Sequence, residues 1–151
     1  MAALVRILEE PEVARCFDAI SELRPHLTPE TFFARARSQM GQGYCLAAVD
    51  AGSGPFPAVA GFRFLENLGW GRFLYIDDLV TRASARRQGY GESLFAFLMN
   101  LAKDRGCDQL HLDSGHHRYD AHAFYLREGM HITGHHFAVQ IKSPQGQGNG
   151  S

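Results

Sequence analysis

The chain is poor in cysteine: Cys16, Cys45 and Cys107 are odd in number, scattered, and without CxxC or metal-ligand spacing. That excludes a disulfide framework and a zinc ribbon, and a reducing cytoplasm suits such thiols. Net charge is also lacking. A formal balance of -1 supplies no global field toward nucleic acid or an anionic membrane. No apolar run reaches the roughly 20 residues of a membrane span, and Glu9 and Glu10 stand where a signal peptide carries no acids. Internal repeats and domain linkers are absent too. What remains is an ordinary soluble composition, 45% hydrophobic and 21% charged over 151 residues, enough for one domain with a real core. That domain is expected over residues 1–142, with the Gly/Gln/Ser-rich residues 143–151 lacking order.

The most informative stretch is Arg86-Arg87-Gln88-Gly89-Tyr90-Gly91. Before it, residues 73–80 are rich in aromatic and β-branched side chains, as strands prefer. After it, Leu94, Phe97, Leu98 and Leu101 form a stripe at helical spacing that Gly106 ends. A strand passing through two close glycines into a helix presents unpaired backbone N–H groups at the positive end of the helix dipole. Such a turn is a ready seat for phosphate or pyrophosphate, and the guanidinium forks of Arg86 and Arg87 add positive charge beside it. No lysine followed by serine or threonine closes a P-loop there.

Around this turn the hydrophobic pattern predicts strands over 4–8, 44–49, 58–65, 72–80, 109–113 and 132–141. Helices are expected after Pro11, after the Thr28-Pro29-Glu30 start signal, through the central stripe, and over 120–128. The order β-α-α-β-β-β-α-β-α-β implies a mixed sheet with helices on its faces. It is not a doubly wound Rossmann order, because the glycine turn follows the fourth strand instead of the first.

Two motifs in this order resemble the GNAT superfamily of acetyl-CoA-dependent N-acetyltransferases, in particular small bacterial enzymes acting on small amines. Arg86, Gly89 and Gly91 match its Arg/Gln-x-x-Gly-x-Gly/Ala signature. Residues 121–130 match its A-x-x-F-Y-x-x-x-G-F/M segment through Ala121, Phe124, Tyr125, Gly129 and Met130. The resemblance runs from Val5 to about Ile141. It implies an α+β fold with a mixed, mostly antiparallel sheet of six to seven strands, flanked by helices and splayed between strands four and five. Acetyl-CoA would lie in that splay as co-substrate. Leu79, Val80 and Thr81 would contact its pantetheine arm, and Arg86, Arg87, Gln88, Gly89, Tyr90, Gly91 and Glu92 its pyrophosphate. Thr81 stands in place of the family's common valine, Ala83 in place of a proline, and Arg118 in place of an asparagine.

Acetyl transfer to an amine needs a neutral nucleophile. At a pKa near ~10.4, only about one amine in a thousand is neutral at pH 7. The site must take up a proton, stabilise an oxyanion and protonate a thiolate. By the resemblance the oxyanion donor lies near Val80, and Tyr125 matches the tyrosine placed near the cofactor sulfur. Asp77 and Asp78 interrupt an apolar strand, and strict alternation points them to opposite faces. Polyamine-type relatives put an acid where Asp77 stands, which makes Asp77 the candidate proton acceptor and Asp78 a candidate for holding the substrate ammonium. Asp113, at the end of the fifth strand, either orients substrate or caps the following turn. Seven of the eight histidines lie from His111 onward, but His116, His117 and His122 do not match zinc spacing, so no metal is expected. The expected activity is cytoplasmic N-acetyl transfer to a small-molecule amine by direct attack in a ternary complex. Its rivals are protein lysine or N-terminal acetylation and a non-catalytic acyl-CoA sensor. Phe137, Val139 and Ile141 on the final strand would allow a homodimer.

Overall fold

Local signals set most element boundaries. In the computed structural model, which describes residues 3–143, the Thr28 hydroxyl accepts from the Thr31 backbone N–H at 3.2 Å and Pro29 occupies the first turn of its helix. The sequence signal at 28–30 is thus a working cap. The elements are β1 (Val5–Ile7), a 3-10 turn (Glu10–Cys16) that runs into α1 (Phe17–Leu23), α2 (Pro29–Met40), β2 (Cys45–Val49), β3 (Ala58–Asn67), β4 (Gly71–Thr81), α3 (Tyr90–Asp104), β5 (Gln109–Leu112) and α4 (Tyr119–Arg127). The tail expected to lack order lies, from residue 144 on, outside the described residues. Among the described residues no helix is long and apolar enough to cross a membrane.

The sheet runs β1-β2-β3-β4-β5, antiparallel from β1 to β4 and parallel between β4 and β5. It is the expected mixed, mostly antiparallel sheet, with five strands among the described residues. Alternation divides its side chains between two cores. Leu46, Ala48 and Val59 pack with Ile20, Phe32 and Ala36 under α1 and α2. Ala47, Val49, Ala60, Phe62, Leu74 and Ile76 pack with Leu94, Phe95 and Leu98 of α3.

Two features of β4 build the site. First, β4 pairs with β5 only from Phe73 opposite Gln109 to Ile76 opposite Leu112, yet it continues to Thr81. Residues 77–81 therefore have a neighbour on the β3 side alone, which is the expected splay. Second, Phe62 of β3 faces Ile76 while the adjacent Gly61 faces Asp78, so Asp77 is an extra residue in a β-bulge. The bulge inverts the facing of everything after it. Ile76 belongs to the α3 core, whereas Val80, four residues on, belongs to the α1/α2 core. Asp77 and Asp78 accordingly do not diverge as alternation predicts; both reach the α1/α2 side.

The strand expected over 132–141 does not form: the segment after α4 has no ladder partner among the described residues, and Ile132, Phe137, Val139 and Ile141 are 79–92% exposed. Alternating apolar residues specify a strand only where a neighbouring edge accepts their hydrogen bonds, and β5 is four residues long. In place of such a ladder, His136 Nδ1 lies 3.4 Å from Asp113.

Candidate active site

The glycine turn is shaped by two left-handed residues flanking Gln88. Gly89 has φ 78°, and Arg87 has φ 64° although it carries a side chain. Glycine adopts that conformation freely; a residue with a Cβ does so at a cost of about 1–2 kcal/mol. Gly89 is the N-cap of α3, no side chain caps that helix, and its backbone carbonyl already accepts from Ser93 N–H. The N–H groups of the first α3 turn thus lack intrahelical partners. Arg86, Arg87, Gln88 and Gly89 are exposed around them. These residues fit a pyrophosphate: bare donors, a helix dipole, and guanidinium groups at the rim. A Cβ built on Gly91 meets the Phe124 ring at 3.5 Å, and Phe124 meets Phe95 edge-on with centroids 6.3 Å apart. Phe124 thus joins α4 to the start of α3.

On the other side of β4 lies a cavity of about 330 Å³, lined by α1, α2 and their connection, with Asp77 and Asp78 in its wall. Both acids are held. Arg63 of β3 grips Asp77 with two hydrogen bonds of 2.8 Å. Arg24 donates to Asp78 Oδ1 at 3.1 Å and to the Asp77 carbonyl at 3.0 Å, and the Tyr44 hydroxyl donates to Asp78 Oδ2 at 2.7 Å. Gly61 makes this last bond possible, because a Cβ there would overlap the Tyr44 hydroxyl. Burial raises the Asp77 carboxyl above its ordinary value against the opposing pull of Arg63. Burial, helped by Asp78, likewise keeps the Tyr44 phenol protonated.

Tyr125 is half-buried, and that burial raises its pKa, while Arg118 and Arg24 act in the opposite direction. Its phenol therefore carries its proton at neutral pH, the state required of an acid. Arg24, bonded to Asp78 and to the Asp77 carbonyl, also adds a small pull on the Tyr125 phenol. Asp113 sits apart: it accepts from the Tyr75 hydroxyl, contacts His136, and does not line the cavity. His122 bonds the Gly115 carbonyl at 2.8 Å and so fastens the loop before α4.

The sequence reading missed Arg24, Arg63, Tyr44 and the lining residues of α2. Arg63 carried a signal, being a cation in the strand that pairs with the two acids. Arg24 and Tyr44 carried none, since only the bulge brings them to Asp78.

Comparison with known proteins agrees with this geometry. Residues 4–130 match the Acetyltransferase (GNAT) family. The chain is 32% identical over 126 residues to the N-acetyltransferase YhdJ of Bacillus subtilis, spanning 83% of this chain and 88% of that protein. It is 32% identical over 113 residues to glucosamine 6-phosphate N-acetyltransferase 1 of Oryza sativa subsp. japonica, spanning 68% and 67%. In fold it is similar to AAC(6')-Iy in complex with a CoA-containing bisubstrate analogue, with a TM-score of 0.79, 11% identity, and coverage of 95% and 100%. The chain belongs to the GNAT family of acetyltransferases and is an acetyl-CoA-dependent N-acetyltransferase.

Proposed function

We propose that the acceptor is the primary amine of a small molecule, bound in the cavity beside Asp77 and Asp78 and acetylated directly in a ternary complex. One observation carries this reading. The bare edge of β4 at 77–81 leads from the cavity wall, through a 3-10 turn at Ala83–Ala85 and the glycine turn, to the uncapped N-terminus of α3. Leu79, Val80 and Thr81 offer unpaired backbone groups to the pantetheine amides, and the Val80 region supplies the oxyanion donor. Arg86 to Glu92 seat the pyrophosphate. Acetyl-CoA supplies the activated acyl group; the chain supplies position and protons.

Asp77, half-buried in the cavity wall with its pKa raised by burial, takes the amine proton directly or through a water. Asp78, fixed by Arg24 and Tyr44, orients the ammonium. Tyr125 returns a proton to the departing thiolate. A cavity of about 330 Å³ is at the small end of ligand pockets, which favours small acceptors over a folded protein surface. The setting is cytoplasmic, in keeping with three free cysteines. A homodimer through the exposed segment 132–141 belongs to the same reading, and light scattering tests it. The activity itself is tested by thiol release from acetyl-CoA across polyamines, amino acids, amino sugars and lysine peptides. Turnover of free small amines supports the reading; turnover of peptides alone refutes it.

A further inference from the structure

The acceptor cavity carries more positive charge than its two acids suggest. Asp77 is matched by Arg63 and Asp78 by Arg24. A second guanidinium on the cavity wall beside Arg24 is Arg35 of α2, while Arg63 reaches Asp77 from β3 without lining the cavity. Arg35 is exposed and, unlike Arg24 and Arg63, makes no hydrogen bond or ion pair among the described residues. With Arg63 counted, the two carboxylates are thus matched by two guanidinium groups and a third is left over, with His26 and Gln39 on the same wall. An acceptor with several ammonium groups would meet aspartates already neutralised and an arginine that repels it. An acceptor with one amine and one oxyanion would complete the charge pattern: the amine at Asp77 and Asp78, the oxyanion on the free fork of Arg35.

We infer that the acceptor is a small amine bearing an acidic group, a phosphate or a carboxylate, that Arg35 binds. This rests on the small-amine reading above and narrows it. Position favours Arg35 for this task over Arg24. The Arg24 side chain is 18% exposed and committed to Asp78, whereas Arg35 projects from a helix face at the cavity wall with its donors unused.

Matched acceptor pairs test the inference: ethanolamine against phosphoethanolamine, propylamine against β-alanine, and glucosamine against glucosamine 6-phosphate, with spermidine as the polycationic control. The expected result is at least a tenfold preference in kcat/KM for the acidic member of one pair, and little turnover of spermidine. Preference within the phosphate pairs or within the carboxylate pair identifies the oxyanion. Arg35→Ala should then raise KM for the preferred acceptor tenfold or more with kcat and acetyl-CoA affinity nearly unchanged, and Arg35→Lys should recover part of the loss. Arg35 has no structural partner, so the variant should fold as the wild type does. Equal or better turnover of the amines without an acidic group or of spermidine overturns the inference and leaves the small-amine reading standing. An unchanged KM in Arg35→Ala also overturns it. Silence with every amine, while calorimetry still shows acetyl-CoA binding, defeats the small-amine reading itself and this inference with it.

Discussion

The two halves of the site are built from different materials. The glycine turn is backbone: left-handed Arg87 and Gly89, an uncapped helix start, and donors present whatever the neighbouring side chains are. The acceptor cavity is side chain: Asp77 and Asp78 on β4, Arg63 on β3, Arg24 beyond α1, and Tyr44 before β2. A backbone site is written in consecutive residues and is common to many chains. A side-chain site is assembled from distant segments and is particular to one. On the proposed reading the first serves the invariant partner, acetyl-CoA, and the second serves the acceptor that distinguishes this enzyme.

If that division holds, substitutions in the two halves separate cleanly. Arg24→Ala should have the largest effect on stability. Its side chain and that of Asp78 are only 18% and 14% exposed, and removing one partner leaves a largely buried charge unpaired. A loss of about 3 kcal/mol is expected in urea unfolding, with the glycine turn untouched. Tyr125→Phe should lower kcat by about 10²-fold, within the usual range for a lost general acid, while calorimetry shows acetyl-CoA affinity unchanged. Unchanged kcat would make Tyr125 a packing residue beside Phe124. Gly61→Ala should cost about 2 kcal/mol, because the new methyl displaces the buried Tyr44 ring and breaks its bond to Asp78. It should also raise acceptor KM without altering acetyl-CoA affinity.

The smallest effect is a displaced pH limb. Burial raises the Asp77 pKa, and the proton acceptor works only when ionised. Activity should therefore fall, as pH decreases, at a higher pH than an exposed aspartate would give, and the residual activity of Asp77→Asn should lack that limb.

The same division explains what was legible in the sequence. The order of elements, the cap at Thr28 and the glycine turn follow from short-range chemistry, and each is readable from a handful of neighbouring residues. The splay was expected from the motif resemblance, and the end of β4–β5 pairing at Ile76 agrees with it. The common facing of Asp77 and Asp78 was not legible. It depends on one bulge at Asp77, whose only trace is Gly61 on the neighbouring strand and its close approach to Tyr44. Arg24 and Arg35 were illegible for the same reason: nothing near them in sequence announces the cavity that tertiary packing forms. The strand expected after α4 failed because periodicity records what a segment could pair with, and no described edge takes it up.

The central claim is that backbone at the start of α3 binds acetyl-CoA independently of the acceptor cavity. Calorimetric titration of acetyl-CoA into wild-type protein and Gly89→Glu tests it most directly. A Cβ at φ 78° is strained and a carboxylate opposes a pyrophosphate, so affinity should drop at least 100-fold while urea unfolding shows a stability loss of only about 1–2 kcal/mol. Wild-type affinity in Gly89→Glu would contradict the account and move the cofactor off the glycine turn.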